Sequence, residues 1–411
     1  MPLGSLPGVD GPGTDSPTLL VTLTGPDRAG VTSRLLGACV APSVVVLDIE
    51  QVLIRGRLVI GVLLTMPRDD TGIRSALRSV ATDLGMELDV SVGYGDDDAR
   101  PPARLHVTVL GATLPPAAMA AIAGRIADNG ANIDRIVRMA SYPVTAVDLE
   151  VSGADPLTLR RALAAEAARQ RVDVAVQPAD INRHAQRLVV VDVDSTLVQG
   201  EVIEMLAAAA GCLPEVAAIT AAAMRGELDF AASLRSRVGL LEGLDSRALD
   251  AVYESLTYAP GARTMVRALK RLGYRFALVS GGFTQVIDRI AADLGVHYAA
   301  ANTLEIEDGR LTGRVRGPVL DRAGKAAALR RFAAEAAIPL SRTIAIGDGA
   351  NDLDMLAAAG LSIAFNAKPI VADAADTALT VPYLDAIVYL LGITREEVDA
   401  ADAERFEEGP S

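Results

Sequence analysis

Three apolar runs in the second half of the chain each stop at a reactive side chain. Leu188-Val189-Val190-Val191 leads into Asp192-Val193-Asp194-Ser195-Thr196, and Phe276-Ala277-Leu278-Val279 leads into Ser280-Gly281-Gly282. Thr343-Ile344-Ala345-Ile346 leads into Gly347-Asp348-Gly349-Ala350-Asn351-Asp352. Short continuous apolar runs separated by helical stretches predict strands of a parallel sheet covered on both faces. Open sheets of that kind bind ligands in the crevice at the carboxyl ends of their strands. The chain is thereby constrained to collect three carboxylates and a hydroxyl at one rim. Lys325, at the head of an Ala/Leu/Arg-rich helical stretch, adds an ammonium. Such a rim suits phosphate and a divalent cation.

One insertion interrupts the strand–helix alternation. Residues 200–260 carry helical periodicity and almost no strand signal, which predicts a helical cap over the crevice. Alternation over 303–315 around Asp308-Gly309 predicts a hairpin. The first 180 residues repeat themselves. Thr18-Leu19-Leu20-Val21-Thr22-Leu23 matches Arg104-Leu105-His106-Val107-Thr108-Val109. In each copy a helix (31–40, 117–129), two strands (44–54 with 58–66, 131–139 with 144–151), a helix (73–84, 157–169) and a last strand (87–92, 172–177) follow. The order βαββαβ, twice, predicts two ferredoxin-like half-sandwiches. The expected organisation is a flexible tail over 1–16, repeats over 17–95 and 103–180, a Rossmann-like α/β domain over 185–394 and an acidic tail over 395–411. Polar linkers at 96–102 and 180–186 separate them.

Composition narrows the function classes. Half of the 411 residues are apolar and the formal charge is −13, with no Trp. Nucleic-acid binding is not expected from a chain without a basic surface or stacking platforms. No apolar run long enough for a membrane span occurs, and the N-terminus lacks the pattern of a signal peptide. Cys39 and Cys212 lie far apart, as buried thiols of a cytoplasmic protein would. Three scattered histidines make a zinc site improbable.

Taken singly, each motif has a plainer use. Asp-x-Asp-x-Thr can be a turn or helix cap, 347–352 a calcium loop, and Lys325 a solvated surface charge. Taken in this order they converge on phosphate-ester chemistry. Asp192 ends its strand and is the candidate nucleophile, forming an aspartyl-phosphate. Asp194 is the candidate general acid and base, its carboxyl raised by repulsion from Asp192 and Asp348. Asp192, Asp348 and the backbone carbonyl of Asp194 are candidate ligands of Mg²⁺, and Mn²⁺ suits the same oxygens. Lys325, Ser280 and the Gly281 N–H can hold phosphoryl oxygens.

These motifs resemble those of the haloacid dehalogenase-like phosphohydrolases, and more closely of the phosphoserine phosphatase family, over about 188–389. The resemblance implies Asp352 as a support for the metal and Asn351 as a phosphate contact. It implies O-phosphoserine as substrate and the last step of serine biosynthesis. Glu201 would face the ammonium, Arg237 the carboxylate, with Met224 and Phe230 on the apolar side; Arg235 competes for the carboxylate. The N-terminal repeats resemble ACT domains, which implies an amino-acid effector such as serine, or dimerisation alone. In the first repeat, Gly25-Pro26-Asp27-Arg28-Ala29-Gly30-Val31 places Asp27 and Gly30 for such a ligand, whereas the second lacks that element. A homodimer through these repeats is expected, without a choice between dimer and tetramer. Two rivals stay open: another phosphatase or phosphotransferase of this superfamily acting on a phosphoprotein, and an amino-acid sensor with a vestigial core.

Overall fold

The computed structural model describes residues 16–40, 44–67, 69–94, 104–179, 187–224 and 227–399. Residues 1–15, the two expected linkers and the acidic tail beyond 399 fall outside that description; 395–399 are helical. The chain divides into two compact units, residues 1–100 and 101–411.

The first unit is built from β1 (Pro17–Pro26), α1 (Val31–Ala38), β2 (Val46–Ile54), β3 (Arg57–Thr65), α2 (Thr71–Leu84) and β4 (Glu87–Tyr94). The strands pair antiparallel in the order β2-β3-β1-β4. Alternation sends Leu19, Val21, Leu23, Leu58, Ile60, Val62 and Leu64 to one face, where Leu35, Ile73, Leu77 and Ala81 of the helices close a separate core. Asp27 and Gly30 are exposed in the turn before α1, and the Asp27 N–H donates to the Gly56 carbonyl at 2.8 Å.

The second repeat follows the same order: β5 (Arg104–Gly111), α3 (Pro116–Asp128), β6 (Asn132–Ala140), β7 (Thr145–Ser152), α4 (Pro156–Gln170) and β8 (Asp173–Pro178), paired β6-β7-β5-β8. Its helix-facing residues form their own core around Val107, Val109, Ile122, Leu149 and Leu163.

The seven-stranded sheet has the order β12-β11-β10-β9-β13-β14-β15. It contains β9 (Leu188–Asp192), β10 (Arg275–Phe283), β11 (Tyr298–Glu307), β12 (Arg310–Arg316), β13 (Thr343–Gly347), β14 (Leu361–Phe365) and β15 (Thr377–Leu379). All neighbours run parallel except the β11–β12 hairpin, whose turn residues Asp308 and Gly309 both have positive φ. The insertion after β9 is helical as expected: α5 (Val202–Ala210), α6 (Leu213–Met224), α7 (Phe230–Gly239) and α8 (Arg247–Ser255), before α9 (Ala262–Arg271) returns to the sheet. Beyond the sequence-based expectation, the cap is laced to the sheet edge. Gly243 N donates to the Leu311 carbonyl at 2.8 Å, Leu311 N to that of Leu244 at 2.9 Å, and Ser246 N to that of Gly309 at 2.9 Å.

The second repeat also packs against this sheet. The outward side chains Leu110, Ala146 and Ala175 join the apolar cluster that contains Val381 and Tyr389. Asp173 accepts from Thr380 N and Oγ1 at 2.8 and 2.9 Å, Gln177 Nε2 donates to the Leu390 carbonyl at 2.6 Å, and Arg160 pairs with Asp376. Among the described residues, no helix is long and apolar enough to cross a membrane.

Candidate active site

The strand register brings the three motifs to one rim. Asp192 stands opposite Val279 of β10, and Val191 opposite Ile346 of β13, so Asp192, Ser280 and Gly347-Asp348 emerge side by side. Asp192 is 3% exposed and Lys325 1%. Lys325 comes from α11 (Arg322–Glu335), and its Nζ donates to Asp192 Oδ1 at 2.6 Å and to Asp352 Oδ1 at 2.7 Å. Thr196 Oγ1 donates to Asp348 Oδ1 at 3.0 Å, a contact the sequence reading did not assign although Thr196 stands in the motif. The other Asp352 oxygen accepts from Gly349 N at 3.1 Å. Gly347 is required here: a Cβ would lie 2.6 Å from Asp352 Cγ.

Asp192, Asp348 and Asp352 each offer a carboxylate oxygen, all within 4.8 Å of one another. Oxygen donors so grouped fit a hard divalent cation. Asp352 is fully buried, with one oxygen engaged by Lys325 and the other by the Gly349 N–H.

Asp194 sits on the other side of the rim. Its Oδ2 accepts from Ser280 Oγ at 2.9 Å and its Oδ1 from Val202 N at 2.8 Å, while Gly282 N donates to Ser280 Oγ at 2.8 Å. The Asp194 carboxyl is raised, in the expected direction but with a different leading cause. Burial dominates, and the hydrogen bonds from Val202 and Ser280 oppose it. Repulsion is felt more at Asp192, where burial and then Asp352 push the carboxyl well up against the pull of Lys325. Burial and Asp352 likewise raise Asp348. Burial pulls Lys325 down, yet Asp192 and Asp352 outweigh it and hold the ammonium above its usual range.

Residues 189–357 match the profile of the haloacid dehalogenase-like hydrolases, and 17–91 and 104–177 each match an ACT domain. The chain is 58% identical over 401 residues to a phosphoserine phosphatase of Streptomyces coelicolor, covering 97% of this chain and 98% of the relative. It belongs to the phosphoserine phosphatase family. A second relative, phosphoserine phosphatase SerB2 of Mycobacterium tuberculosis, is 50% identical over 391 residues, covering 94% and 96% of the two chains. Among solved structures, a probable phosphoserine phosphatase from Vibrio cholerae has a TM-score of 0.56 at 33% identity, covering 73% of this chain and 88% of that one. A HAD family hydrolase from Salmonella enterica has a TM-score of 0.62 at 29% identity, covering 70% and 98%.

In this family member the cap places its side chains over the rim. Phe230, the first residue of α7, reaches Gly281 so closely that a Cβ there would lie 3.2 Å from Phe230 Cζ. Glu201 stands at the start of α5 with no capping bond from its side chain, and the Val202 N–H donates to Asp194 Oδ1 at 2.8 Å. Ser195, at φ 59°, donates from Oγ to Glu201 Oε1 at 3.2 Å. Burial and then Asp194 push the Glu201 carboxyl up to about 7. Arg237 is half-buried on α7 and lies in the field of Glu201 and Asp194, whereas its competitor Arg235 is exposed. Asn351 folds over Gly349 beside Asp348, its Oδ1 lying 2.1 Å from where a Gly349 Cβ would be. Met224 ends α6, and its side chain lies outside the described residues.

Proposed function

We propose that the chain hydrolyses O-phosphoserine to serine and phosphate through an aspartyl-phosphate on Asp192, as the last step of serine biosynthesis in the cytoplasm. The observation that carries this reading is the convergence of Asp192, Asp194, Ser280 and Lys325 within one hydrogen-bonded rim. An Asp192 carboxylate oxygen attacks phosphorus while the bond to the serine oxygen breaks, and protonated Asp194 gives its proton to the leaving alkoxide. Asp194, now ionised, takes a proton from water; the water oxygen attacks phosphorus and the acyl-phosphate bond breaks, releasing phosphate and Asp192. Lys325 and the Ser280-Gly281 turn face the phosphoryl oxygens. Mg²⁺, held by Asp192, Asp348 and the Asp194 carbonyl with Asp352 behind, would supply the remaining positive charge, and Mn²⁺ fits the same donors.

Substrate choice rests on Glu201 for the ammonium and Arg237 for the carboxylate, with Phe230 and Met224 on the apolar side. The near-complete burial of Asp192 and Ser280 beneath the cap supports a small amino acid over a phosphoprotein. Glu201→Gln and Arg237→Ala are each expected to raise KM for phosphoserine about 10- to 100-fold. Turnover of an aryl phosphate, which lacks the ammonium and the carboxylate, should change little, and equal losses on both substrates would remove the assignment. With the Glu201 carboxyl at about 7, kcat/KM for phosphoserine should climb as pH rises through that value and the carboxylate forms. The aryl phosphate shares the ionisation of the phosphate but not that limb, and Glu201→Gln should abolish it.

The first repeat is the proposed seat of an amino-acid effector, serine foremost, held by Asp27 and the N–H groups near Gly30. Homodimer formation through the repeats is supported by the exposed apolar edge strand β2, with Ile49, Val52, Leu53 and Ile54 at its surface. Serine added to the assay should alter turnover, and Asp27→Ala should remove that response without changing activity in its absence. An unaltered response in the variant would place the effector away from Asp27, and no response in the intact chain would leave the repeats a purely assembling role.

A further inference from the structure

Asn302 is 1% exposed in β11 and lies outside the three strand-end motifs and the helix of Lys325. The pairing of β10 with β11 runs regularly to Val279 opposite Ala300 and resumes at Phe283 opposite Asn302. Strand β10 thus carries two extra residues in the Ser280-Gly281-Gly282 segment, and the ladder cannot satisfy them. The Asn302 side chain does so in its place. Its Nδ2 donates to the Gly281 carbonyl at 2.8 Å, while Gly282 N, on the same peptide unit, donates to Ser280 Oγ at 2.8 Å. That peptide is therefore held from both ends. The Asn302 Oδ1 accepts from Leu320 N at 2.7 Å. Leu320 immediately precedes Asp321, whose Oδ1 accepts from Gly324 N at 2.8 Å and so starts the helix that delivers Lys325. One buried amide thus bridges the turn bearing Ser280 to the helix bearing Lys325.

The geometry points to Asn302 as a positioning residue for the phosphoryl site: it fixes the Gly281-Gly282 peptide of the Ser280 turn and ties the helix bearing Lys325 to it, with no contact of its own to substrate. This goes beyond the choice of phosphoserine and rests only on phosphoester hydrolysis at the rim. Because Asn302 serves the phosphoryl group and not the cap, its loss must affect every phosphomonoester alike.

The test compares Asn302→Ala and the isosteric Asn302→Asp with the intact chain. Asp keeps the acceptor for Leu320 N but loses the donor to Gly281, and it carries the test should the alanine variant fail to accumulate. Steady-state kinetics on phosphoserine and on p-nitrophenyl phosphate, and inhibition by inorganic phosphate, are measured per folded protein, with Ile363→Val in β14 as a core-weakened control. Both variants are expected to lose about 10- to 100-fold in kcat/KM, by the same factor on both substrates, with phosphate inhibition weakened in parallel. Ile363→Val should match the intact chain. Losses no larger than those of the control, or confined to phosphoserine, would overturn the assignment. Should the intact chain show no preference for phosphoserine, the substrate reading fails while the aryl-phosphate comparison still decides the role of Asn302.

Discussion

Asp192→Asn is expected to lower phosphate release roughly 10⁶-fold, to background, while the fold persists. The amide keeps an oxygen for Lys325 but has no anionic oxygen with which to attack phosphorus. Folding should not suffer, because the carboxylate it replaces is buried beside Asp352 and carries a raised pKa, the mark of a charge the fold tolerates at a cost. Rapid quenching with labelled phosphoserine should show label on the intact chain and none on the variant. Asp194→Asn makes the contrast. Nitrophenolate leaves without a proton, so this variant should still take label from the aryl phosphate, yet hold it, because the hydrolysing water has lost its base. Label appearing on Asp192→Asn would place the nucleophile on another residue and sink the assignment to Asp192.

Lys325→Met is expected to combine inactivity with the largest loss of stability, about 3–5 kcal/mol at neutral pH. It leaves Asp192 and Asp352 buried together without the ammonium that bonds to both at 2.6 and 2.7 Å. The sign with pH follows from those carboxyls. In the variant the Asp192 carboxyl, already raised by burial, loses the pull of Lys325 and lies further above the unfolded value near 4. The deficit is therefore small below about pH 4, where both states are protonated, and grows as pH rises toward the raised folded value. Urea unfolding at acidic and at neutral pH reads it out. A deficit that stayed constant with pH would mean that the lost packing of the side chain, not the lost charge, is responsible. Asp352→Asn added to Lys325→Met should recover part of the stability and none of the activity.

The strands that build the rim were legible because their chemistry is local. An apolar run ending in Asp192 or at Gly347-Asp348 announces both a buried strand and what lies at its end. The Asp308-Gly309 hairpin and the two βαββαβ repeats were equally plain, since turn residues and alternation act over short distances. What stayed hidden depends on partners remote in the chain. Asn302 looks like any polar residue in a half-buried strand until Gly281 and Leu320 are seen on either side of it. Asp173 and Gln177 alternate as solvent-facing positions would, yet they meet Thr380 and Leu390, some two hundred residues on. The cause of the Asp194 shift was misjudged for a related reason. Counting neighbouring charges is possible from sequence, whereas counting the water removed by the cap is not.

The second repeat offers its outer face to Val381 and Tyr389 and fastens it through Asp173, Gln177 and Arg160. A module whose exterior has become its neighbour's interior has given up its independence. Cutting the chain between them would strip hydrogen-bond acceptors and apolar side chains on both pieces at once. Calorimetry should accordingly record the repeat and the large sheet as one cooperative melting body.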